Sequence, residues 1–127
     1  MIVGTEWLID ACGCDAEKLR DVEALRGIFK RVIDELDLKV VGEVMWHQFP
    51  TPSGVTGLAL LSESHLACHT YPEHGIATFN LYCCRIRSRW NWEEVLSEIL
   101  KAEKVNVRMI ERAEIGVQIK TVGGDIL

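Results

Sequence analysis

The chain has 127 residues, 48% hydrophobic and 26% charged, with a formal net charge of −5 at pH 7. These values describe one globular domain, residues 1–127, with enough apolar material for a single core, and they exclude a disordered chain. The acidic balance argues against nucleic acid as a partner, and no apolar run reaches the roughly 18 residues that span a membrane.

The first residues, MIVGTEWLIDACGC, lack the basic start of a secretion signal. Five cysteines are an odd count that fits a reducing cytoplasm better than secretion. Ile2 to Cys12 reads as a strand and Cys12-Gly13-Cys14 as a turn. That C-x-C has no matching second pair, so it is a weak metal motif. Asp15 is placed to cap a helix. From Ala16 to Leu36, Leu19, Val22, Leu25, Phe29, Val32 and Leu36 recur at helical spacing, which predicts one amphipathic helix. Leu38 to Phe49 reads as a second strand with Gly42 at a bulge. Pro50 to Gly54 is loop, because two prolines cannot continue a paired central strand. Val55 to Leu61 is apolar enough for a buried strand, and Ser64–Tyr71 with Ile76–Cys84 forms a hairpin around Pro72 to Gly75. Arg85 to Arg89 reads as a solvated charged connection. Asn91 with Glu94 three residues on has the form of a capping box for a helix through Leu100. Val105 to Ile110 is a strand, Ile115 to Ile119 a further one, and TVGGDIL a loose tail.

The pattern predicts an α+β two-layer sandwich, with two helices on one face of an antiparallel sheet. Apolar residues at alternating strand positions leave the other face to be covered, which favours a homodimer packed sheet to sheet.

Reactive side chains crowd into Leu60 to Cys84, LLSESHLACHTYPEHGIATFNLYCC, which holds three of the four histidines and three of the five cysteines. Ser64 directly follows Glu63, and its hydroxyl is a nucleophile when a base takes its proton and donors hold the oxyanion. His65, His69 and His74 are base candidates, and Cys83 or Cys84 is a nearby thiol. His65 and His69 are four residues apart, about 13 Å along a strand, too far to share one metal ion.

SESH followed by HTYPE, with GVTG upstream and a cysteine twenty residues after Ser64, resembles the prokaryotic S-adenosylmethionine decarboxylase family. The resemblance runs from about Ile2 to Arg112. It implies a proenzyme that cuts itself between Glu63 and Ser64, giving a β chain of residues 1–63 and an α chain of residues 64–127. Ser64 would become a pyruvoyl group that forms a Schiff base with the substrate amine, so neither pyridoxal phosphate nor a metal is needed. By the same resemblance His69 is the base in self-processing, Thr56 the hydroxyl that stabilises its intermediate, and Cys84 the proton donor in decarboxylation. Phe49 falls at the adenine-stacking position and Glu73 where a carboxylate meets the ribose. The implied substrate is S-adenosylmethionine and the product an aminopropyl donor for polyamine synthesis. A pyruvoyl-dependent arginine or ornithine decarboxylase is the alternative, since some members have changed substrate. The chain departs from the family at Cys83 and Arg85, where threonine and glycine are common, and at Ile110 to Ala113, where a histidine and glycine are often found.

Overall fold

A computed structural model describes residues 1–114. Six strands form one antiparallel sheet: β1 Ile2–Cys12, β2 Met45–Gln48, β3 Val55–Leu61, β4 Ser64–Tyr71, β5 Ile76–Cys83 and β6 Lys104–Glu114, in the order β2-β3-β4-β5-β1-β6. Among the described residues there are three α-helices, α1 Ala16–Leu19, α2 Val22–Glu35 and α3 Trp92–Leu100, and one short 3-10 turn at Pro72–His74. The predicted strand at Ile115–Ile119 and the tail lie outside the described residues. No helix among the described residues is long and apolar enough to cross a membrane.

The period-2 pattern of β3, β4 and β5 decides which face is covered. Val55, Ala59, Leu61, Leu66, Cys68, Ala77, Phe79 and Leu81 are buried and form one core with Leu25, Ile28, Phe29 and Val32 of α2 and Trp92 and Leu96 of α3. The opposite face has no helix over it among the described residues. Leu58 and Leu60 stand on it about half exposed, at 46% and 58%, with Met45 at 68%. Gly57 fits the register for a steric reason: it pairs with Trp46, and a Cβ there would lie inside the indole ring.

The single helix predicted for Ala16–Leu36 is two helices, so three rather than two pack on the sheet. Asp15 caps the first as expected, accepting from the Glu17 N–H at 2.9 Å. Asp21 caps the second, accepting from the Glu23 N–H at 3.0 Å. The break exposes carbonyls that a continuous helix would bond internally, and side chains take their place. Thr70 Oγ1 donates to the Leu19 carbonyl at 2.8 Å, and Gln48 Nε2 donates to that of Arg20 at 2.7 Å.

Thr70 is 1% exposed and its oxygen also accepts from the Val55 N–H at 2.9 Å. Thr70→Val keeps the shape but strands a buried donor and a buried acceptor. It should lower unfolding free energy by about 1–3 kcal/mol. A urea titration with an unchanged midpoint would show that water replaces the hydroxyl.

The second strand is also shorter than predicted. Val40 bridges Leu61, and Met45 pairs with Leu58, so five steps here (40 to 45) oppose three on β3 (58 to 61). Gly42, at φ 76°, sits in this excursion of two extra residues, which ends the pairing that a simple bulge would have kept. At α3, Asn91 is the cap residue but makes no side-chain bond to the helix backbone; its Nδ2 donates to Glu94 Oε2 at 2.6 Å, so the capping box is not formed. β6 runs four residues beyond the predicted Val105–Ile110, paired to β1 as far as Ile2↔Glu114.

Candidate active site

The sequence-derived residues fall into two groups at opposite ends of β4. The first surrounds the Glu63–Ser64 bond. Leu61 pairs with Ser64, leaving Ser62 and Glu63 as a two-residue hairpin turn. Such turns favour glycine or asparagine in positive-φ positions, and this one has neither. Ser64 takes up the mismatch at φ 156°, a conformation costing a non-glycine residue about 1–3 kcal/mol. The Glu63 carbonyl accepts the Cys84 backbone N–H at 3.2 Å, so a donor already sits on the oxygen that would gain charge if Ser64 attacked. Ser64 Oγ lies 3.4 Å from His65 Nδ1.

The Glu63 side chain is only 9% exposed, and two arginines answer it. Arg87 Nε donates to Oε1 at 2.9 Å and Nη2 to Oε2 at 2.5 Å, with Arg85 Nε 3.7 Å from Oε2. Arg85–Arg89 is therefore not simply a solvated loop: Arg87 is 19% exposed and turned inward, while Arg85 is 76% exposed.

The two neighbouring cysteines separate cleanly. Cys83 is buried on the helix side, where burial, with the Glu63 carboxylate adding to it, pushes its thiol up to about 11. Cys84 is exposed and lines a cavity of about 370 Å³ with Met1, Ile2, Gly4, Thr5, Arg85 and Ile86. Iodoacetamide at pH 8 should therefore label Cys84 in the folded protein, with Cys68 and Cys83 reacting only after denaturant is added. Peptide mapping with equal labelling of Cys83 and Cys84 would contradict this placement.

The second group is built across β3 and β4. Thr56 and His69 are directly opposed in the register, and Thr56 Oγ1 and His69 Nδ1 share a hydrogen bond of 2.5 Å. That bond orients the ring and leaves Nε2 to exchange a proton. Phe49 stands edge-on to His69 at 5.6 Å between ring centres, and Tyr71 at 4.5 Å. Phe49, His69, Tyr71 and Glu73 share a cavity of about 200 Å³. A second, of about 390 Å³, runs from Thr56 and His69 past Thr78 and Asn80 to Asp10 and Arg108. Beyond it, Glu6 accepts from Asn80 Nδ2 at 2.6 Å and pairs with Arg112 at 2.7 Å. The Asn80 amide foremost, and Arg112, hold the Glu6 carboxyl below its usual range against the opposing effect of burial.

Thr56 and His69 are thus brought together, and Phe49 and Glu73 join them. Glu63, Ser64 and Cys84 form the other group. His69 and Ser64 do not meet: five residues of strand separate them, about 16 Å. Sequence reasoning missed Arg87, Tyr71 and the Cys84 amide. The first hides in a charge run, and the last is backbone.

The family model described as S-adenosylmethionine decarboxylase matches residues 5–113. The S-adenosylmethionine decarboxylase proenzyme of Picrophilus torridus is 37% identical over 119 residues, covering 93% of this chain and 88% of its own. That of Pelotomaculum thermopropionicum is 35% identical over 111 residues, covering 87% and 86%. The crystal structure of the adenosylmethionine decarboxylase from Aquifex aeolicus VF5 superposes with a TM-score of 0.77 at 29% identity, over 94% of this chain and 98% of that one. With the family model matched over most of its length, the chain belongs to the S-adenosylmethionine decarboxylase family.

Proposed function

We propose that this chain is a proenzyme that cuts itself between Glu63 and Ser64 and then decarboxylates S-adenosylmethionine, supplying the aminopropyl donor of polyamine synthesis. The observation that carries this reading is the state of the Glu63–Ser64 bond: a nucleophile at a strained φ of 156°, next to a carbonyl already held by the Cys84 N–H. Ser64 Oγ attacks the Glu63 carbonyl carbon, the amide C–N bond breaks and an ester forms. Loss of the Ser64 Cα proton then expels the Glu63 carboxylate, and water releases ammonia. The strain at Ser64 is relieved as the peptide becomes an ester, and the Cys84 amide stabilises the oxyanion on the way. The residues fit a pyruvoyl group because the hydroxyl, the carbonyl donor and a buried partner for Glu63 are all present. That group supplies a carbonyl that accepts the electron pair left when carbon dioxide departs.

The separation of Ser64 from His69 supports a site shared by two protomers. In a homodimer packed sheet to sheet with strands opposed, the Ser64 end of one β4 lies over the His69 end of the other. Facing sheets stack about 10 Å apart, close enough for side chains to meet. Half-exposed Leu58 and Leu60, with Met45, belong to the face such packing covers. Ser64 and Cys84 would then act with the partner subunit's His69 as the base in processing and with the partner subunit's Thr56, which orients that ring and stabilises the intermediate. The partner subunit's Phe49 and Glu73 line the cavity at that end, with an aromatic face for adenine and a carboxylate for the ribose hydroxyls. Cys84, exposed beside the Glu63–Ser64 bond in the same shared site, returns the proton to the decarboxylated carbon.

Intact mass after denaturation tests the reading. Two fragments, residues 1–63 and a hydroxylamine-reactive 64–127, are expected, with Ser64→Ala remaining whole. Carbon dioxide release from S-adenosylmethionine, and not from arginine or ornithine, identifies the substrate. A single mass equal to that of Ser64→Ala would remove the self-processing proposal.

A further inference from the structure

The pairing of Glu63 with two arginines goes beyond what self-cleavage requires. A side chain at the exit of a surface hairpin turn ordinarily faces water, yet Glu63 is 9% exposed and engaged on both oxygens by Arg87. A fork-to-fork pair of this kind fixes direction as well as distance, which a lysine would not. The Glu63 backbone is held at the same time, through its carbonyl and the Cys84 N–H. The residue donating the attacked carbonyl is therefore clamped at both ends. Both contacts come from one short segment, Cys84 to Arg87, which would belong to the α chain, while Glu63 would end the β chain.

Resting on the self-cleavage reading above, we propose that Arg87 is a positioning residue for the cut and that Arg85 and Arg87 together form the binding site for the carboxylate terminus the cut creates. The balance of the reaction supplies the reason. The intact chain plus one water gives the β-chain acid, the keto-terminated α chain and ammonia, so Glu63 goes from one negative charge to two. Before the cut Arg87 is satisfied by the side-chain carboxylate, whereas Arg85 stands 3.7 Å from it and is 76% exposed. The new α-carboxylate is built on the very carbonyl that accepts the Cys84 N–H, in the residue whose side chain Arg85 already approaches. Two guanidinium groups then face two carboxylates. The segment that aligns the bond beforehand retains the severed end afterwards, away from the site where substrate must enter.

The test follows cutting and terminus in time by intact mass, using full-length purified protein. Arg87→Met should cut about tenfold or more slowly, with Arg87→Lys intermediate, since it restores charge without the fork. Thermal melting of each variant checks that it is folded. In cut protein, a carboxypeptidase that accepts C-terminal glutamate should remove Glu63 several-fold faster from Arg85→Ala than from the native enzyme. Arg89→Met, whose guanidinium pairs with Glu93 on the surface, should match native protein in both assays. A folded Arg87→Met that cuts at the native rate, or equal trimming of Glu63 with and without Arg85, would overturn the clamp while leaving self-cleavage intact. Failure of the native chain to cut would remove both.

Discussion

A mixture of Ser64→Ala and His69→Ala protomers is expected to cut, although neither variant cuts alone. In a mixed dimer, one site joins Ser64 of the His69→Ala chain to His69 of the Ser64→Ala chain and is complete; the other site lacks both. Only the His69→Ala chain can be severed, and at equal amounts with random pairing about half of those chains should be. The effect is near all-or-none, because a positioned base contributes about 10²–10⁴ in rate. Thr56→Val should complement Ser64→Ala in the same way, since Thr56 orients His69. His65 is the competing base, at 3.4 Å from Ser64 Oγ within one chain. If His69→Ala cuts unaided, or the mixture stays whole after subunit exchange, the shared site is wrong and His65→Ala becomes the variant to examine.

Stability should collapse on the alkaline side. Burial pushes the thiols of Cys14 and Cys83 up to about 11 and that of Cys68 up to about 12, from an ordinary value of 9.0. The folded state keeps protons that the unfolded chain releases. Their contribution is therefore whole below pH 9 and is lost as pH rises towards 11 and 12. Each thiol takes away about 1.4 kcal/mol per pH unit, so three together remove about 4. The loss slows above about pH 11, where only Cys68 still contributes, so a domain at the lower end of the typical range of about 5–15 kcal/mol should unfold before pH 11. Urea titrations between pH 9 and 11 measure the slope, and Cys68→Ala should lessen it by about a third whatever its effect at pH 7. An unchanged slope in that variant would mean that other groups govern alkaline unfolding.

Where sequence and structure part, the physics is local. β1 and β3 were legible from their apolar content, and β4 and β5 from the turn residues between them. The break between α1 and α2 was not, because it keeps Leu19, Leu25, Phe29 and Val32 on one face, so the apolar period runs through it undisturbed. Asp21 was the available signal, a cap residue in mid-helix. The strand at Leu38–Phe49 failed because apolar content does not count residues against a neighbour, and two too many stand opposite β3. At the site, residue types named Ser64 and left three histidines and two cysteines open, and the family resemblance singled out Thr56, His69 and Cys84. Their division between two ends of one strand followed only from the antiparallel register.

The strand order has a further consequence. A cut after Glu63 would leave β1, β2 and β3 in one fragment and β4, β5 and β6 in the other. β1 lies between β5 and β6, and β4 lies between β3 and β5. The pieces would be interlaced, each closing a gap in the other, and the severed molecule would hold together without its backbone link. What changes is the way back. Once unfolded, it must reassemble from two strangers rather than one chain, so its resistance to heat becomes dependent on concentration. Maturation would then be a one-way door, passed through only after folding is complete.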